Sequence, residues 1–248
     1  MCCETLIKLL YEVEQLEYLC IFDVEQKRLC NTWITKRILF RLLFASILLP
    51  LIPMWHYLYH FDTFFQYLTN WGIVFTICSL LVTAYMPYSK TYRKKTKLMA
   101  WNHALLSMAI IAETLVVVVY WTVMHKDVMM RNRHSKLAVA YQYYAHIVPA
   151  ISCAYNFFAT DFLFHRGYTR FLIFLTIIFF FVNFVTTKLT GNFSYWFLRW
   201  EDPYSSAVVV GFFLLVTKLM VYFFVFISEI AKARRLPNLD SLKRAKRE

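Results

Sequence analysis

Six long apolar runs set the pattern of the chain, at approximately 39–60, 65–87, 98–124, 136–160, 170–187 and 205–231, with short polar connections between them. A helix needs about 20 predominantly apolar residues to cross a hydrocarbon core roughly 30 Å thick, and each run is of that order. The fifth, FLIFLTIIFFFVNFVTT, is apolar nearly throughout, whereas the fourth is the most polar and carries Gln142, His146 and several Tyr. Ahead of the first run, Leu6, Leu9, Leu10, Val13, Leu16 and Cys20 recur at helical spacing opposite Glu4, Glu12, Glu14 and Glu17. That spacing predicts an amphipathic helix with an acidic polar face. The fold class predicted is therefore all-α: an N-terminal amphipathic segment over 1–38, a bundle of six transmembrane helices over 39–232 and a basic tail over 233–248. No internal repeat appears, and no linker is long enough to separate two domains.

Composition agrees with this pattern. Of 248 residues, 60% are hydrophobic and 17% charged, and the mean hydropathy is +0.48; soluble domains carry roughly 25% charged residues. With 4 Gly and 6 Pro, and runs much longer than the roughly 10-residue alternating segments of an outer-membrane barrel, helices are the spanning element. The six Cys have no CxxC spacing, which predicts neither a disulfide framework nor a metal site. Cys2 and Cys3 are a weak acylation signal. The acidic start resembles neither a cleavable signal peptide nor a mitochondrial presequence.

The net charge of +12 changes the picture through its distribution. With the N-terminus cytosolic, 20 Lys or Arg fall on that side and 6 on the other, Lys218 being left inside a helix. The positive-inside rule then places both termini in the cytosol or an equivalent compartment such as a mitochondrial matrix, which requires an even number of spans. An endomembrane or the plasma membrane is the favoured location, with the mitochondrial inner membrane as the other. Nucleic acid is excluded as a partner, because the basic residues are divided among loops rather than gathered on one face.

Polar side chains inside apolar runs are costly and usually face the bundle interior. They are Thr69 and Asn70 in the second run, Asn102, His103 and Glu113 in the third, Gln142 and His146 in the fourth, Asn183 in the fifth, and Lys218 and Glu229 in the sixth. Thr69 and His146 both fall in the half remote from the cytosol, about 8 Å apart in depth at roughly 1.5 Å per residue, a difference that tilt removes. His103 lies near the cytosolic end. A hydroxyl beside an imidazole is the minimum for an activated nucleophile, although Thr69 bonding its own backbone four residues back is the commoner arrangement. Glu113 and Lys218, each near mid-span, are expected to pair and fix two helices; Glu113 orienting His146 is the other possibility. Tyr195, Trp196, Trp200 and Tyr204 read as an interfacial aromatic belt.

Several stretches together resemble one family. FFQYLTNWGIVF (64–75) is similar to the aromatic-x-Leu-Thr stretch of the androgen-induced and androgen-dependent TFPI-regulating proteins, and to the Tyr-Leu-Thr-Asn-Trp of the related rolling stone proteins. VVVVYWTVMHKDVM (116–129) resembles that family's next helix end. TGNFSYWFLRW (190–200) looks like its Thr-Gly-x-x-x-Tyr-x-x-Leu loop, and Ser228-Glu229 sits where members have Gly-Glu. The family consists of multi-pass membrane proteins, some of which hydrolyse fatty acid esters of hydroxy fatty acids with a Thr nucleophile and a His. The resemblance implies that Thr69 is the nucleophile and His146, ahead of Pro149, the base. Tyr143 stands where the family's hydrolases carry the first of two His.

The function expected is thus hydrolysis of a lipid ester within the membrane. Thr69 and His146 would be catalytic, Asn70 and Gln142 would be substrate-binding donors to the carbonyl oxygen, and neither cofactor nor metal would take part. Membrane lipids are the expected partners. The alternative is a non-catalytic accessory or assembly subunit of a larger membrane complex that docks through the acidic helix and the basic tail. Transport through a Glu113 and Lys218 pair lacks a discontinuous-helix signature.

Overall fold

The computed structural model describes residues 31–59, 61–88, 92–160, 164 and 166–245, and every regular element among them is helical. The N-terminal amphipathic helix expected over residues 6–20, with Cys2 and Cys3, lies outside the described residues. The first apolar run divides at Leu49-Pro50 into α1 (Asn31–Leu48) and α2 (Leu51–Leu58). A 3-10 turn over Phe61–Gln66 leads into α3 (Leu68–Tyr85). Helix α4 (Tyr92–Val119) passes through a π-helical turn at Tyr120–Met124 into α5 (His125–Asn132). Then follow α6 (Lys136–Ala159), α7 (Tyr168–Thr190) and α8 (Pro203–Ala245), the last of which runs on as one helix past the boundary expected for the tail.

Among the described residues five helical segments are long and apolar enough to cross a membrane: Lys36–Leu58, Leu68–Tyr85, Leu98–Asn132, Tyr168–Thr190 and Pro203–Ile230. The chain is a multi-pass helical membrane protein by that measure. Helix α6 is absent from this set because its sequence is polar, although its 24 residues amount to roughly 36 Å at 1.5 Å per residue. It runs along the bundle all the same. Near its start Gln142 meets Tyr59, and near its end Asn156 meets Ser79 and Thr83 of α3. The most apolar 18-residue stretch of Leu98–Asn132 is 67% buried and that of Pro203–Ile230 only 17%, so α4 is the central post and α8 an outer helix.

Polar side chains pin the end of the bundle remote from Thr69. Arg41, 6% exposed, donates from Nε to Asn156 Oδ1 at 3.0 Å and from Nη2 to the Ala159 carbonyl at 3.4 Å. Asn156 Nδ2 donates to Ser79 Oγ at 3.0 Å, and Ser79 and Thr83 donate to Asn102 Oδ1 at 3.1 and 2.7 Å. Four helices are thereby tied through hydrogen-bonded side chains. In an apolar medium that fixes register better than side-chain packing alone, since the alternative is an unsatisfied polar group.

The expected pair of Glu113 with Lys218 does not form. Glu113 is 2% exposed, and neither carboxylate oxygen has a hydrogen-bond partner; Lys218 is exposed on the outer face of α8. The inward stripe of α8 is Thr217, Val221, Val225 and Ser228, and one residue further along a helix turns Lys218 about 100° from that stripe. Glu113 instead packs on the backbone of Gly72 in α3: a Cβ there would lie 2.5 Å from Oε1 and 3.0 Å from Cδ. Gly72→Ala is therefore expected to destabilise the protein by about 1–3 kcal/mol through overpacking. In a Glu113→Ala background the same change should cost little, and a double-mutant cycle in thermal unfolding measures that coupling.

Candidate active site

Thr69 is the second residue of α3. The helix start is positioned from outside, because the preceding residue Tyr67 is extended and supplies no side-chain cap. The orphan N–H of Leu68 donates instead to the phenol oxygen of Tyr195 at 2.9 Å, which fills the role of a cap. Tyr195 sits in the loop after α7, and Gly191 ends that helix in the left-handed conformation at φ +71°, where a residue with Cβ is disfavoured. Hydrogen bonds lock this loop to the 3-10 turn. Gln66 Nε2 donates to Thr187 Oγ1 and the Asn192 carbonyl, and Asn183 Nδ2 donates to the Gln66 carbonyl and Ser194 Oγ at 2.8 and 2.7 Å. Trp200 Nε1 donates to Asn183 Oδ1 at 2.8 Å.

The Thr69 hydroxyl is not spent on its own helix. Ser107, Thr114, Thr122, Ser152, Thr176 and Thr190 all donate to the carbonyl four residues back. For Thr69 that acceptor would be Phe65, whose carbonyl takes the Trp71 indole N–H at 2.7 Å. Among the described residues neither the Thr69 hydroxyl nor its backbone N–H has a hydrogen-bond partner. Both lie in the first turn of a helix, where the macrodipole favours negative charge.

Thr69 and His146 line one cavity. Its volume is about 30 Å3, and Leu115, Tyr120, Phe179, Tyr195 and Phe213 complete much of its wall. The His146 ring stacks on Tyr120 with centroids 3.5 Å apart and planes 17° from parallel. Tyr120 opens the π-helical turn, where the His125 N–H bonds back to the Tyr120 carbonyl; such turns recur at functional sites. The His125 ring is 5.4 Å from Tyr120 and 5.7 Å from Tyr143. Tyr143 itself faces outward from the site.

A directional chain of hydrogen bonds holds the imidazole. Asn132 Nδ2 donates to the Val128 carbonyl at 2.9 Å, which turns its oxygen to accept from Tyr59 at 3.4 Å. Tyr59 in turn accepts from Gln142 Nε2 at 2.9 Å, so the Gln142 oxygen faces His146 Nε2 at 3.3 Å. An amide oxygen requires a donor. Nε2 therefore carries the proton, and Nδ1, buried and without a partner, is the basic nitrogen.

Two expected donors have other tasks. Asn70, 0% exposed, uses Nδ2 to cap the Phe64 carbonyl at 2.7 Å and does not line the cavity. Gln142 orients the base rather than meeting substrate. Gln142, not Glu113, holds the imidazole. Of the loop aromatics, Tyr195 is half-buried and bonded to the start of α3, whereas Trp196 and Tyr204 are exposed. Burial pushes the Tyr195 phenol above its ordinary value. It stays protonated, and with its oxygen accepting from Leu68 its own O–H remains available at the cavity wall. His103 is remote from Thr69 and contacts Tyr168 at 3.2 Å. Among the described residues no group of three or more His, Cys, Asp or Glu is arranged to hold a metal ion.

No protein-family model, curated protein or solved structure matches this chain.

Proposed function

We propose that the protein is an intramembrane hydrolase of lipid esters, similar in kind to the threonine hydrolases of fatty acid esters of hydroxy fatty acids, with Thr69 as nucleophile and His146 as general base. One observation carries this reading: an unspent threonine hydroxyl at a helix start shares an apolar cavity with an imidazole whose other nitrogen is already fixed. Thr69 Oγ1 attacks the ester carbonyl carbon while His146 Nδ1 takes its proton. The imidazolium then protonates the departing alkoxide, leaving an acyl-threonine ester. A water deprotonated by His146 attacks that ester, releases the fatty acid and returns the proton to Thr69. The Thr69 N–H and the Tyr195 O–H are the donors placed to receive the oxyanion.

Thr69 and His146 share no direct hydrogen bond in this resting state, as is common before substrate arrives. The cavity holds about one water molecule, so an acyl chain enters by parting Phe179, Phe180 and Phe213. These rings also line a second small apolar cavity, reaching Leu172 and Leu175. In the same reading α6 is the sixth crossing and both termini lie on the cytosolic or equivalent side. Gln142, His146, Ser152 and Asn156 of α6 are turned into the bundle, which supports such a crossing. The membrane it occupies is an endomembrane or the plasma membrane.

Purified protein in detergent micelles, given a fatty acid ester of a hydroxy fatty acid, should release both acids. Tyr195→Phe should lower kcat about 10²–10³-fold, the size expected for one lost oxyanion donor, with KM little changed. An equal fall in affinity for a non-hydrolysable ether analogue would instead mark Tyr195 as a binding residue.

A further inference from the structure

Lys218 stands 15 residues from one end of the apolar segment Pro203–Ile230 and 12 from the other, and it faces outward. At about 1.5 Å per residue its Cα is roughly 18 Å from the nearer end, well beyond what the four-carbon stem of a lysine can span. Ionisable residues inside spanning segments almost always face the bundle interior or pair with an opposite charge. Within this chain Lys218 does neither. Among the described residues its ammonium has no hydrogen-bond or ion-pair partner. Glu113, at comparable depth, is buried, and Glu201, Asp202 and Glu229 lie at the ends of the segment. Seven residues before Lys218, nearly two turns and so on the same stripe, is Gly211, with Ala207 one turn before it; both are exposed. A Cβ at Gly211 would meet nothing within 4 Å, so its smallness serves no contact inside the bundle. Ala-x-x-x-Gly is the spacing that lets two membrane helices approach closely.

We infer that the outward face of α8 from Ala207 to Tyr222 is the docking site for a transmembrane helix of a different protein, which packs on Ala207 and Gly211 and sets an aspartate or glutamate against the Lys218 ammonium. Charge and depth decide the class of partner. The phosphate of a lipid headgroup stays at the membrane surface, out of reach of a lysine at mid-span. A second copy is excluded by symmetry: two copies inserted with the same topology are related by an axis along the membrane normal, so a contact through this face sets Lys218 at the depth of its own counterpart and opposes like charges. An acidic side chain in a partner's helix is as costly in hydrocarbon as the lysine, and pairing relieves both. None of these α8 residues lines the cavity of Thr69, so the inference stands independently of ester hydrolysis.

The test uses the full-length chain in the membranes of cells that naturally produce it. The photocrosslinker p-benzoylphenylalanine, placed at Leu215 or Leu219, which are exposed beside Lys218, should capture one other protein on illumination. Peptide mass spectrometry should locate the attachment in a transmembrane segment within about two helical turns of an aspartate or glutamate. The same probe at Phe174, exposed on α7, should not capture that protein. Lys218→Leu should lower the crosslink about tenfold or more, because it strands the partner's acid, while Lys218→Arg, which keeps the cation, retains it. Lys218→Glu should abolish the crosslink, and changing the partner's acid to lysine should restore it to the Lys218→Glu chain; restoration of this kind separates lost docking from a lost fold. Capture of lipid alone, of a second copy of this chain, or of a segment without an acid would overturn the inference. So would a Lys218→Leu protein captured as well as the parent, or a charge reversal that restores nothing.

Discussion

Thr69→Ala and His146→Ala are each expected to lower the rate of ester hydrolysis about 10³-fold or more, and the double substitution should be little worse than either single one. The reason is that nucleophile and base act as one unit: removing either leaves the other with nothing to do, so their effects do not add. General-base assistance alone is worth about 10²–10⁴-fold. Thr69→Ser should keep part of the activity, because the hydroxyl survives at the same helix start. Gln142→Ala should fall between these and the parent, since it leaves His146 in place but frees Nε2 from the amide that fixes its tautomer. Steady-state kinetics of the purified variants on one ester substrate, with thermal unfolding to confirm that each is folded, provide the comparison.

The second large effect concerns stability and lies at the other end of the bundle. Asn156→Ala is expected to destabilise the protein by about 3–5 kcal/mol, because it removes the acceptor for Arg41 Nε and leaves a buried guanidinium short of partners. It also strips the donor from Ser79. Replacing both partners by apolar residues, as in Arg41→Met with Asn156→Leu, should recover much of the loss, since no charge is then buried without compensation. Thermal unfolding in detergent, monitored by tryptophan fluorescence, measures the difference. Equal loss in the single and double variants would show that cavity formation, and not the stranded charge, sets the cost.

What the sequence made legible differs between these two ends. The fourth run, 136–160, coincides almost residue for residue with α6, and the fifth and sixth runs match the starts of α7 and α8 to within about two residues. Hydropathy alone locates α7 and α8, because a long apolar stretch has few alternatives in a membrane, whereas α6 falls short of that measure. The break at Leu49-Pro50 was less visible, since proline in an apolar run does not say by itself where the chain turns. Depth counting put Thr69 and His146 at one level, and the structure places them on one cavity. Depth counting has no information about helical phase, however. Lys218 and Glu113 sit at comparable depth but on outward and inward faces, so their pairing was an inference from charge alone. The inward stripe Thr217, Val221, Val225 and Ser228 was the signal that separates them.

The tasks of the two amides were illegible for a different reason. Asn70 adjoins Thr69 in sequence, but adjacent residues on a helix point about 100° apart, and its amide serves the turn beneath it. Gln142 lies one turn before His146 on α6, a spacing suited to holding the imidazole rather than reaching past it. Tyr195 was hidden because its role depends on a loop folding back across the chain to residue 68. Its neighbours Gln66 and Asn183 offered a hint, as amides near helix ends that needed partners. Arg41 and Asn156 escaped notice because each sits near the edge of an apolar run, where a polar residue is unremarkable until its burial is known.

The account turns on whether the Thr69 hydroxyl is chemically activated. A long-chain fluorophosphonate reacts only with a deprotonated or base-assisted hydroxyl, and the site of its attachment is read directly by peptide mass spectrometry. The result expected is a single phosphonylated residue, Thr69, with labelling abolished in Thr69→Ala and reduced about 10²-fold or more in His146→Ala. Labelling at another residue, or none in a protein shown to be folded, would contradict the account and leave a non-catalytic subunit of a membrane assembly as the reading that fits.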